Sequence, residues 1–143
     1  RTTNNNFSWR LGAQYDVMQD FMLYATFAKG YKGPAFNVFF NQNPTQLNVI
    51  EPETADSYEA GFKLTTLDRR LIVNTSLFYA KYDNFQANNF DTLNGVVITR
   101  LTNAGEVSTK GFEVDLIARP SPDFSVTAGL AYTDAQIDKF NLP

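Results

Sequence analysis

The chain has 143 residues, enough for one ordinary domain. Its 12 basic and 15 acidic side chains leave a formal charge of -3, so nucleic acid has no basic footprint to meet. Cys and His are both missing, which removes disulfides, thiolate chemistry, and the commonest general base and metal ligand; no catalytic set, metal or cofactor is expected.

Six strands are expected in chain order. The first, Phe7–Tyr15, alternates Phe7, Trp9, Leu11, Ala13 and Tyr15 against Ser8, Arg10, Gly12 and Gln14. DVMQD is a short turn. The second, Phe21–Lys29, sets Phe21, Leu23, Ala25 and Phe27 against Met22, Tyr24, Thr26 and Ala28. A long segment rich in Asn, Gly and Pro follows, GYKGPAFNVFFNQNPTQLNVIEPE. The third strand, Thr54–Leu64, places Tyr58, Ala60, Phe62 and Leu64 opposite Ser57, Glu59, Gly61 and Lys63. TTLDRR turns into the fourth, Leu71–Tyr82, whose parity is ambiguous, with Leu71, Val73, Thr75, Leu77 and Tyr79 the better face. The polar stretch DNFQANNFDTLNG comes next. A fifth strand lies within Val96–Ala118, then PSPD, then a sixth at Phe124–Thr133. Prolines in that turn fit, because they would damage a central strand.

The connections run short, long, short, long, short. In an up-and-down antiparallel sheet this puts every tight turn at one end and every long loop at the other, the asymmetry of transmembrane β-barrels. No stretch approaches the ~20 apolar residues of a spanning helix, but a spanning strand needs only about 9–11 alternating ones. The apolar parity of the five clear strands reads as free of charge, while Arg10, Glu59, Lys63, Glu113 and Asp115 all fall on the opposite parity. Aromatics gather near strand ends: Tyr15, Phe21 and Phe124 towards the short turns, and Phe7, Phe27, Tyr79 and Tyr132 towards the long loops. A soluble antiparallel sheet with one buried face is the competing reading of the same periodicity.

Three segments resemble the barrel of TonB-dependent outer-membrane receptors: LYATFAKGYKGPAFN at 23–37, EPETADSYEAGFKLTTLDRRLIVNTSLFYAKYDNFQ at 51–86, and LTNAGEVSTKGFEVDLIARPSPDFSVTAGLAYTDA at 101–135. The resemblance implies an all-β fold, an antiparallel up-and-down transmembrane β-barrel of about 22 strands with a plugged lumen. Residues 1–143 would be a partial barrel domain. At roughly 24 residues per strand and connection, 22 strands need on the order of 500 residues. The plug, the energy-coupling box and the remaining strands are expected outside this stretch, and both ends read as cuts. It also implies the bacterial outer membrane, partnership with its lipid, coupling to the TonB energy-transducing complex through the plug, and import of a small-molecule nutrient such as an iron–siderophore. Arg10, Glu59, Lys63, Glu113 and Asp115 then become lumen-facing charges that hold a plug and line a path.

Glu51, Glu53, Asp56 and Glu59 could in principle do acid–base work or hold calcium, but solvated loop and lumen charges account for them better. KGYKGPAF lacks the spacing and following helix of a phosphate cradle. Its Tyr31, Lys32 and Phe36, with Phe39 and Phe40 further on, form an aromatic cluster beside a cation and are the candidate ligand contacts. A passive porin-like outer-membrane barrel and a binding module built on a soluble antiparallel β-sheet remain as alternatives.

Overall fold

The computed structural model describes residues 5–37, 49–93 and 95–140. Among the described residues ten strands run in order: β1 Trp9–Met18, β2 Phe21–Lys32, β3 Ala35–Phe36, β4 Val49–Ile50, β5 Glu53–Thr66, β6 Leu71–Asp83, β7 Gln86–Leu93, β8 Val96–Asn103, β9 Gly105–Ser121 and β10 Phe124–Phe140. Six of them form one antiparallel sheet in the order β1-β2-β5-β6-β9-β10, while β3-β4 and β7-β8 are separate two-stranded ladders. The up-and-down sheet expected from the alternation is therefore present. Its strands run further than the apolar alternation alone indicates, because ladder pairing continues past the polar residues that interrupt it: β10 reaches Phe140 and β9 starts at Gly105.

Two expectations need correction. The stretch after Asp83 is not an open loop. Asn84 adopts a left-handed φ of 55° and Gly105 one of 123°, and Phe85 N–H donates to the Gly105 carbonyl at 2.9 Å. Across that kink the β6–β9 ladder passes into the β7–β8 hairpin. Pro120 also lies inside β9 rather than in the turn. It is tolerated there because pairing with β6 ends at Ala118 and the β10 register shifts between Phe124 and Val126, so no ladder donor is needed from it.

Register sorts the side chains into two faces. On one, Leu11, Phe27, Tyr58 and Tyr79 lie side by side across β1, β2, β5 and β6. Trp9 meets Phe27 edge-on at 4.8 Å, Phe27 stacks on Tyr58 at 4.6 Å, and Phe112 stacks on Tyr132 at 5.9 Å further along. Below these rings the face is aliphatic. Above them it is charged: Lys29 pairs with Asp56 at 3.5 Å and Lys110 with Asp134 at 3.6 Å. The apolar parity thus does carry charge, but only past the aromatic row.

Among the described residues nothing covers the aliphatic face. Leu11 is 67% exposed and Leu130 62%, and Ile50 is the one buried apolar side chain among the described residues. A six-stranded sheet without a second layer has no core of its own to bury that face. Among the described residues no helix is long and apolar enough to cross a membrane.

Candidate functional site

The other face of the sheet is polar. Successive Cβ atoms alternate, so Arg10 on β1, Glu59 and Lys63 on β5, and Glu113 and Asp115 on β9 all project from it. They line two adjoining shallow grooves. One, of about 500 Å³, holds Arg10, Glu59 and Lys63, and the other, of about 510 Å³, holds Glu59, Lys63, Glu113 and Asp115. The five charges singled out from parity are brought onto one surface, three acidic and two basic.

Two aromatics on this face were not among the sequence candidates. Tyr24 stands opposite Gly61 and Phe78 opposite Gly111. A Cβ at Gly61 would meet the Thr75 carbonyl and come within 2.7 Å of the Tyr24 hydroxyl. A Cβ at Gly111 would meet the Tyr132 carbonyl and come within 2.6 Å of the Phe78 ring. Each glycine thus leaves a bare patch of backbone on which a ring from the neighbouring strand lies, the cross-strand device that compensates a glycine in a sheet. The glycines in YEAGFK and KGFEV were visible; their partners needed the register.

At the long-loop end the aromatic cluster is only partly assembled. Tyr31 falls on the parity of Phe27, the apolar face, whereas Lys32 falls on the polar one. Lys32 lies 3.9 Å from Glu53. Phe36 lies in β3, half exposed at 47%, while Phe39 and Phe40 lie outside the described residues.

What does organise this end is amide chemistry. Gln86, 6% exposed, donates from Nε2 to the carbonyls of Gly33 at 3.0 Å and Glu51 at 2.9 Å, and from its backbone N–H to Glu53 Oε2 at 2.8 Å. Asn103, directly across the ladder, accepts from Glu51 N–H at 2.8 Å and donates to the Glu51 carbonyl at 3.0 Å. The side chain of Asn37 donates to the Leu101 carbonyl at 2.7 Å and accepts from its N–H at 2.8 Å. In the outer part of the hairpin the Thr92 N–H and then the Arg100 guanidinium, 3.1 Å away, hold the Asp91 carboxyl below its usual range. Beyond the aromatic row on β6, Glu106 at 3.0 Å and Asp83 at 3.1 Å hold the Lys81 ammonium above the usual lysine value.

A single-layer sheet with one uncovered apolar face, one charged face, tight turns at one end and docked hairpins at the other is the wall of a barrel. Residues 1–142 match the family described as TonB dependent receptor-like, beta-barrel. The chain belongs to the TonB-dependent receptors. Members of this family sit in the bacterial outer membrane and are transporters, not enzymes. The soluble sheet module falls with this finding. Among curated relatives, the ferric-pyoverdine 358 receptor of Pseudomonas putida is 29% identical over 125 residues, covering 85% of this chain and 14% of that protein. The catecholate siderophore receptor Fiu of Escherichia coli K12 is 24% identical over 140 residues, covering 94% of this chain and 18% of that one. The siderophore receptor PirA of Pseudomonas aeruginosa superposes with a TM-score of 0.76 at 19% identity, over 93% of this chain and 29% of that one, a likeness of fold. The chain spans less than a fifth of the length of these curated relatives.

Proposed function

We propose that this TonB-dependent receptor segment is one wall of a receptor that binds a scarce nutrient, an iron–siderophore or similar chelate, and imports it with TonB-coupled energy. The observation that carries this reading is the asymmetry of the two sheet ends. Three tight turns close one end, while the other bears two long connections whose bases are hydrogen-bonded to each other above a charged face. Long segments on a rigid scaffold are where solutes are usually recognised. The charged face, with Glu59, Glu113 and Asp115 against Arg10 and Lys63, suits a plug domain that fills the lumen and passes the energy of the TonB complex to it. Relatives named as siderophore receptors support an iron chelate as the cargo.

The test uses the full-length receptor and a ferric tris(catecholate) complex. Replacing Tyr31, Phe36, Phe39 and Phe40 together should weaken binding of this probe to the purified, folded receptor by roughly tenfold or more, as expected when contact area in a concave site is lost. Shortening the PSPD turn should impair assembly and leave affinity as it was. Uptake in cells should stop when TonB is deleted. Uptake that persists without TonB would overturn active import in favour of a passive pore. Unchanged affinity after the four replacements would remove this loop from the site.

A further inference from the structure

Side chains of a strand alternate between faces, so Gln86, Asn88 and Phe90 share one face of β7, with Asn103, Leu101 and Thr99 opposite them on β8. Two side chains of this face, Gln86 and Asn103, fasten the hairpin to the first long connection, and from that connection Asn37 and Glu53 reach the hairpin's backbone. Phe90 is therefore carried on the face turned towards the first connection, four residues out from the fastening point. It is nevertheless 79% exposed, and Asn88 beside it is exposed too. A large ring carried on a fastened hairpin at the long-loop end, and bare among the described residues, is placed to meet a solute.

The fastening itself has a definite chemistry. The Gly33 and Glu51 carbonyls can only accept, so the group between them must donate twice, and the amide nitrogen of Gln86 does so. Glu53 ties the same residue by its backbone N–H. The partners of Gln86 come from both flanks of the first connection, Gly33 on one side and Glu51 and Glu53 on the other. One buried amide thus gathers three separate stretches of chain.

We propose that Gln86 is a positioning residue that clasps the two outer hairpins into a single body, and that Phe90 with Asn88 forms the second wall of the ligand cleft, taking a planar or apolar part of the solute with an amide beside it. The wall rests on the reading that the long connections bind cargo; the clasp does not.

The full-length receptor tests both. Spin labels at Val49→Cys and Phe90→Cys should give one narrow distance distribution without any ligand. Gln86→Leu keeps the volume and removes the donors. It should broaden that distribution and speed amide exchange at both Val49–Glu53 and the β7–β8 hairpin by roughly tenfold, the worth of one net hydrogen bond or slightly more. Exchange in the middle of β5 and the heat stability of the barrel should stay as they are. Loosening confined to the hairpin, or a broad distribution in the parent protein, overturns the clasp. For the wall, Phe90→Ala should weaken binding of the ferric tris(catecholate) probe several-fold more than that of an aliphatic ferric trihydroxamate. Equal effects on both, or none on either, overturn it. If the parent receptor binds neither chelate, the siderophore reading and the wall fall together, while the distance and exchange results stand by themselves for the clasp.

Discussion

Single side chains on this sheet are sorted by parity, and the sorting has an energetic signature. Leu116 pairs with Val73 on one side and Ala128 on the other, in the aliphatic part of the uncovered face. In a receptor of the outer membrane that face has acyl chains for a solvent. Leu116→Arg should therefore destabilise the folded barrel by about 2–4 kcal/mol, the cost of a cation near the bilayer midplane. Reversible unfolding of the full-length receptor in phospholipid vesicles measures it. A spin label at Leu116 that reports water rather than acyl chain would refute the facing. The same change at Thr127, whose neighbour Ile117 lies on the opposite parity from Leu116, should cost little if that parity lines a wet lumen. The charges of the apolar parity, Lys29 with Asp56 and Lys110 with Asp134 among them, escape the penalty because they lie beyond the aromatic row and neutralise each other in pairs.

Elements were legible in the sequence where alternation is strong. Strands β1, β2, β5, β9 and β10 announce themselves through Leu11, Leu23, Phe62, Leu116 and Leu130. Strand β6 did not settle its own facing, since Ile72 and Phe78 compete with Leu71 and Leu77. The ladder decides it: Ser76 stands opposite Glu113 and Phe78 opposite Gly111, which puts a ring on the polar face over a glycine made to receive it. No single strand contains that information. The β7–β8 hairpin was less legible still. QANNFDTL has few apolar residues to alternate, and its place is fixed by the side-chain amides of Gln86, Asn103 and Asn37, which in a sequence look like ordinary loop polarity. The ring-on-glycine pairing gives a sharp expectation. Gly111→Ala drives a methyl against a backbone carbonyl that cannot swing aside, and should cost about 1–3 kcal/mol, as overpacking does. Gly129→Ala is the matched control, because its nearest obstacle is the Asp115 carboxylate at 3.3 Å, the end of a side chain that can move. Equal unfolding midpoints for the two variants would remove the packing argument.

At the largest scale the described residues form a sheet with two bare edges. Among the described residues β1 has a partner only in β2 and β10 only in β9, so one flank of each presents a row of N–H and C=O groups without a ladder partner there. In water such edges invite pairing with another copy. In lipid each unpaired group costs several kcal/mol, so an open sheet is not a viable spanning structure. The two faces make a second demand, because the aliphatic one needs acyl chains and the charged one needs water or a plug. Only closure into a larger barrel meets both, and the strand tilt that closure requires fits the oblique aromatic row, which steps down from Tyr79 to Phe112 between β6 and β9. Expressed alone, residues 1–143 should therefore fail to give a monomeric, heat-resistant species in detergent, and should aggregate without it. Size-exclusion with light scattering and a heat-shift gel check both points. A folded, detergent-free monomer with one sharp melting transition would show that the apolar face finds cover within this stretch of chain, and would leave the lipid-facing assignment of Leu116 and its neighbours without support.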